Sequence, residues 1–221
     1  SIWDIYSKVP GNIFENHNGD ISCDSYNQLD ADLYMLKGLG VNSYRFSISW
    51  SRIFPTGQGT TNNKGVEYYN RLINGLLENN ISPMVTLYHF DLPQELQDLG
   101  GWENDVVLDA FHNYADFCFR TFGDRVKFWM TFNQPHSIVT AGYGLGVFPP
   151  EQKDDPGSAP YRVAHNLLKI HARVYHTYDE KYRGTQGGVI SLSLNTEWVE
   201  PKDYKEPRDI EAADRYLQFT L

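Results

Sequence analysis

Val126–Lys127–Phe128–Trp129–Met130–Thr131–Phe132–Asn133–Gln134–Pro135 decides the fold, because an apolar, aromatic-rich run closes there on two carboxamides and a proline. A continuous apolar run of this length fits a strand buried on both faces of a parallel sheet. Polar side chains at its C-terminal end then stand where a parallel β/α barrel gathers its chemistry. Working outward, similar runs predict strands at Asn42–Ile48, Pro83–His89 and Gly188–Asn195, beside the one at Val126–Asn133. Amphipathic patterns predict helices near Gly65–Asn79, Asn104–Phe122 and Tyr161–Tyr182, preceded by Ser25–Leu39 and followed by Ile210–Leu221. Strands alternating with helices are the βαβ signature of an α/β fold with a parallel sheet. Gly40 and Gly123 fall where helix C-caps belong, and Lys202–Arg208 reads as a surface loop. No linker, repeat or low-complexity tract breaks the series, so residues 1–221 read as one domain.

The polar residues recur at one place in each unit. Arg45 falls within the first strand, while His89, Asn133 and Asn195 close the next three. All C-terminal strand ends of a parallel sheet share one edge, so these residues are expected to converge on a single mouth.

Composition narrows the partners. The chain has 221 residues, 41% hydrophobic and 14% aromatic, with a formal charge of -9. That charge, without a basic stripe, argues against a nucleic-acid partner. The Trp and Tyr content suits flat ring ligands such as sugars. No apolar run is long enough to cross a bilayer, and Ser1–Ile2–Trp3–Asp4 is no signal peptide. Cys23 and Cys118 read as two unpaired, semi-buried thiols that do not fix the compartment. No Cys/His spacing suggests zinc and no glycine-rich loop suggests a nucleotide, so no cofactor is expected. Asn80–Ile81–Ser82 is a formal glycosylation sequon, weakened by the following Pro83.

Several stretches together resemble family 1 glycoside hydrolases, the β-glucosidase and lactase group. They are Ser1–Ile2–Trp3–Asp4, Tyr44–Arg45–Phe46–Ser47–Ile48–Ser49–Trp50–Ser51–Arg52–Ile53, Thr86–Leu87–Tyr88–His89–Phe90–Asp91–Leu92–Pro93, Gly100–Gly101–Trp102, Thr131–Phe132–Asn133–Gln134–Pro135 and Gly142–Tyr143–Gly144. The resemblance implies a TIM (β/α)8 barrel of which residues 1–221 hold about strands two to five, without the first strand and the C-terminal half. The rest of the barrel, with the nucleophilic glutamate in a Thr-Glu-Asn-Gly context, is then expected from further sequence. A lactase-like resemblance favours an extracellular or membrane-anchored location, with the cytoplasm left open.

The resemblance also assigns roles. Retaining glycosidases use one carboxyl as nucleophile and a second as acid, then base. The acid/base position falls on Gln134, whose amide can neither give nor take the proton. An engineered Glu→Gln exchange, a natural glutamine as in myrosinase-like thioglucosidases, and a family member of relaxed or changed function all remain open. His89 and Asn133 take the sugar-gripping positions, and Phe90 replaces the usual tryptophan, so any contact through an indole N–H is lost. Arg45 is expected to hold the nucleophile ionised; an ion pair supporting the barrel is its structural alternative. Asn195 is balanced between substrate contact and loop capping, and Asp91 is expected to bias the His89 tautomer. The expected partner is a small-molecule β-glucoside or β-galactoside. The rival is a non-catalytic klotho-like sugar-binding or receptor scaffold.

Overall fold

The computed structural model describes residues 1–220, with side chains through residue 218. Four strands, β1 (Ser43–Ser47), β2 (Ser82–Tyr88), β3 (Phe128–Asn133) and β4 (Val189–Ser193), form one parallel sheet in sequential order. Helix α1 (Leu29–Leu39) precedes it, α2 (Asn63–Glu78), α3 (Asp105–Phe122) and α4 (Ala159–Tyr178) connect the strands, and α5 (Pro207–Thr220) follows. All four predicted strands and all five long helices are therefore present.

The two faces of the sheet differ. Phe46, Val85, Trp129 and Ile190 share a register and pack beneath the helices, the last three almost fully buried. Their neighbours Arg45, Met84, Phe128 and Val189 share the other face, where Phe128 is 45% and Val189 48% exposed. The expectation that β3 is buried on both faces is thus corrected at Phe128. Side chains on that face point into the space a closed barrel would fill.

Aromatic packing ties the strand ends together. Trp50 stacks on Tyr114 at 5.1 Å, and Phe111 stacks on Phe132 at 4.8 Å. The Tyr114 hydroxyl lies 2.8 Å from the Ile48 carbonyl and 3.0 Å from that of Leu87, so one buried phenol bridges the chain just beyond β1 and the end of β2. Helices α3 and α4 run parallel: Lys169 pairs with Asp105 and Arg173 with Asp109, each 64 residues on, and Lys181, just past α4, pairs with Asp116 at 65. Exposed pairs of this kind contribute little energy singly, but their constant offset records the register.

Local differences have local causes. Gly40 is left-handed at φ 67, as a C-cap glycine should be, whereas Gly123 stays right-handed at φ -72. The end of α3 closes instead through the Arg125 and Val126 N–H groups, both donating to the Phe122 carbonyl. That turn delays β3 to Phe128. A short helix at Ile2–Tyr6 and the start of α5 at Pro207, inside the expected loop, were not foreseen. Neither cysteine is semi-buried: Cys118 is fully enclosed in α3 and Cys23 is exposed, and both are unpaired. Among the described residues no helix is long and apolar enough to cross a membrane.

Candidate active site

Three of the expected residues meet at one edge of the sheet. Arg45, on the open face of β1, donates from Nη2 to Asn133 Oδ1 at 2.6 Å and from Nε to Thr86 Oγ1 at 3.0 Å. Thr86 is fully buried and Asn133 only 4% exposed, so both acceptors are removed from bulk water. The pairing of β3 with β4 shifts between Met130 and Asn133, placing Asn133 opposite Ser193. A bulge of this kind re-aims a side chain at the rim of a sheet, and here the side chain meets Arg45.

His89 follows directly after β2 and lines, with Arg45, Phe46 and Tyr69, a cavity of about 670 Å³. Burial, then the Arg45 charge, pushes its imidazole below the usual range. The ring is therefore neutral near pH 7, with one nitrogen free to donate and the other to accept. Asp91 does not touch that ring: its Oδ1 accepts the backbone N–H of His89 at 3.2 Å. The expected tautomer control is corrected accordingly. Burial pushes the Asp91 carboxyl up, with the His89 backbone N–H opposing it.

Gln134 has φ 46 and caps a short helical turn, Pro135–Ser137. Its backbone N–H donates to the Ser193 carbonyl at 2.7 Å, and Ser137 Oγ approaches Oε1 at 3.4 Å. The proline at the first helical position suits this exit, since its fixed φ is already helical. A π-helical segment, Ile138–Gly144, follows.

Asn195 stands apart. β4 ends at Ser193, whose carbonyl is taken by Gln134, and Asn195 lies two residues beyond in an exposed irregular stretch. It therefore does not close the strand that the sequence had suggested. Sequence reasoning missed Thr86, the second anchor of Arg45, although strand alternation places it on the inner face two residues from Met84.

The arrangement can do two things chemically. A neutral imidazole and a carboxamide held by a cation offer donors and acceptors suited to hydroxyl groups. Arg45 is exposed and has no carboxylate partner among the described residues, which leaves its positive charge available to an arriving anion.

Comparison with known proteins agrees with this geometry. The family described as glycosyl hydrolase family 1 matches residues 1–221. Human lactase/phlorizin hydrolase is 67% identical over 223 residues, a match covering 100% of this chain and 12% of that protein. Human cytosolic β-glucosidase is 47% identical over 222 residues, covering 100% of this chain and 47% of that one. A rice β-glucosidase, solved as a Glu-to-Gln mutant in a covalent complex with Glc from GA4GE, superposes with a TM-score of 0.92 at 40% identity. That match covers 100% of this chain and 48% of the rice chain. The chain thus spans about half the length of such β-glucosidases and a smaller share of lactase/phlorizin hydrolase. Its four successive β/α units form a partial (β/α)8 barrel, and the chain belongs to glycosyl hydrolase family 1.

Proposed function

We propose that this chain supplies the sugar-gripping part of a retaining β-glycosidase acting on β-glucosides or β-galactosides. The observation that carries this reading is the Arg45–Asn133 contact of 2.6 Å beside a neutral His89. His89 and Asn133 bind ring hydroxyls, and contacts to the 2-hydroxyl strengthen as the oxocarbenium-like transition state develops. Arg45 faces the nucleophilic carboxylate, which a further segment of the barrel brings against the open face of the sheet. Residues 1–221 act as one unit in that barrel. Gln134 stands at the acid/base position, where an amide leaves out a contribution of roughly 10²–10⁴-fold. Substrates whose leaving groups need protonation are therefore cleaved slowly, and activated aryl or thio-linked glucosides least affected.

The test is Gln134→Glu in the complete barrel. Hydrolysis of alkyl β-glucosides is expected to rise by roughly 10²-fold or more. No rise, with the protein folded and still binding glucoside, would remove position 134 from the chemistry. The amide at Gln134 also favours a second reading, a non-catalytic sugar-binding scaffold. Glucoside binding without any turnover in either form would select it.

A further inference from the structure

Thr86 carries a hydroxyl where an apolar side chain would fit. Its neighbours along β2, Val85 and Leu87, are fully buried, and Thr86 is fully buried as well, on the face it shares with Arg45. Valine has the same shape and suits a strand equally well, whereas a hydroxyl taken out of water costs free energy unless it is bonded. The partner that repays this burial is Arg45, whose Nε donates to Thr86 Oγ1 at 3.0 Å.

The two ends of that bond differ in firmness. Thr86 stands in the ladder between Ser47 of β1 and Met130 of β3, and its carbonyl accepts the Ile48 N–H at 3.0 Å. Arg45 is an exposed, long side chain on the end strand of the described sheet. Nε and Nη2 form one edge of its planar guanidinium, and both are engaged: Nε by Thr86, and Nη2 by Asn133 Oδ1 at 2.6 Å. With both bonds in place the plane cannot turn; with the Asn133 bond alone it pivots. A guanidinium has donors only, so a plane held in this way requires Asn133 to present its oxygen and to turn its NH2 group away from Arg45.

We propose that Thr86 is a positioning residue: by fixing Arg45 at Nε, it holds the Asn133 carboxamide in the one orientation that selects for a sugar 2-hydroxyl. This inference rests on the glycosidase reading given above and gives the 2-hydroxyl contact to Asn133. Thr86 itself is buried and acts only through the two side chains beyond it. A role in folding alone would lower activity on every substrate by the same factor, whereas a role in orientation falls on the substrate that carries the hydroxyl.

The experiment compares kcat/KM of the complete barrel on dinitrophenyl β-glucoside and on its 2-deoxy analogue, whose shared leaving group needs no proton from position 134. Thr86→Val, which keeps the shape and removes the acceptor, is expected to lower the value for the glucoside about tenfold and that for the 2-deoxy analogue by less than about twofold. Thr86→Ser, which keeps the hydroxyl, should retain the parent ratio. Should Thr86→Val not fold, Thr86→Cys makes the same test, since a thiol is a weak acceptor of similar size. Equal losses on both substrates, or no change in either, overturn the proposal. A parent protein that cleaves neither substrate, or both equally, overturns the reading beneath it as well, and this shows before any variant is made.

Discussion

Arg45 Nη2 and Asn133 Oδ1 lie 2.6 Å apart across two strand pairings, although 88 residues separate them in the chain. The contact fixes the carboxamide with its oxygen toward the guanidinium and its NH2 group turned away, free to donate. Arg45→Ala removes that orientation. Because Arg45 is itself exposed, water can take its place, so the loss of stability in urea should be near 1 kcal/mol, at the low end for a buried acceptor. Glucoside affinity should fall further, and Arg45→Lys should recover little of it, since a single ammonium cannot span Thr86 and Asn133 as the fork does.

On the proposed glycosidase reading, the amide at 134 leaves water attacking a glycosyl intermediate with no base to take its proton. Azide needs none: its nitrogen bonds to the anomeric carbon as the bond to the nucleophilic carboxylate breaks. Addition of azide to the complete barrel turning over an activated aryl β-glucoside should accelerate it by about 10²-fold and yield the β-glucosyl azide by mass spectrometry. In the Gln134→Glu form the acceleration should vanish. Persistent azide dependence there would contradict the role given to this position.

Burial holds His89, His112 and His171 below the ordinary histidine range, helped at His89 by Arg45 and at His112 by Arg173. The unfolded chain then binds more protons than the folded one once pH drops below about 6.5. Stability from these groups is fully present above that value and is lost as pH falls toward the folded values. Asp91 acts with opposite sign, since its raised carboxyl penalises the fold only once ionised. Urea midpoints should decline from pH 7.5 to 5.5, and His171→Gln should flatten the slope by removing the ring that meets Thr131 Oγ1 at 2.8 Å.

Gly65 tests the packing of α2. An added Cβ there would overlap the Arg52 carbonyl oxygen. Alanine normally favours a helix by nearly 1 kcal/mol over glycine, yet Gly65→Ala should destabilise by about 1–3 kcal/mol because backbone must move. A neutral or stabilising result in thermal unfolding would show that the two segments separate easily.

The strands were legible because β-branched and aromatic runs of this length have few other uses, and the open mouth followed from parallel order alone. Their ends were less so. Val126 carries strand-like side chains, but its N–H closes the α3 terminus, and Asn195 lost its place when Gln134 took the Ser193 carbonyl. Val126 answers to the Phe122 carbonyl at the end of the preceding helix and Ser193 to Gln134 far along the chain, backbone partners that side-chain pattern does not record. Of the residues singled out, Arg45 meets Asn133 and shares a cavity with His89, while Asp91 turns to backbone and Asn195 lies beyond the end of β4. The role of Asp91 was hidden because Phe90 adopts φ 75, redirecting the chain between His89 and the carboxylate.

The backbone at Gln134, at φ 46 and ψ 63, narrows what evolution can place there. Branching at Cβ is strained in that region, so straight side chains are preferred, and glutamine and glutamate differ by a single first-position base in their codons. Exchange between amide and acid at this corner asks for no rebuilding of the scaffold. If the proposed role of this corner holds, a lineage can mute and regain proton transfer by one point substitution while the rest of the mouth persists unaltered.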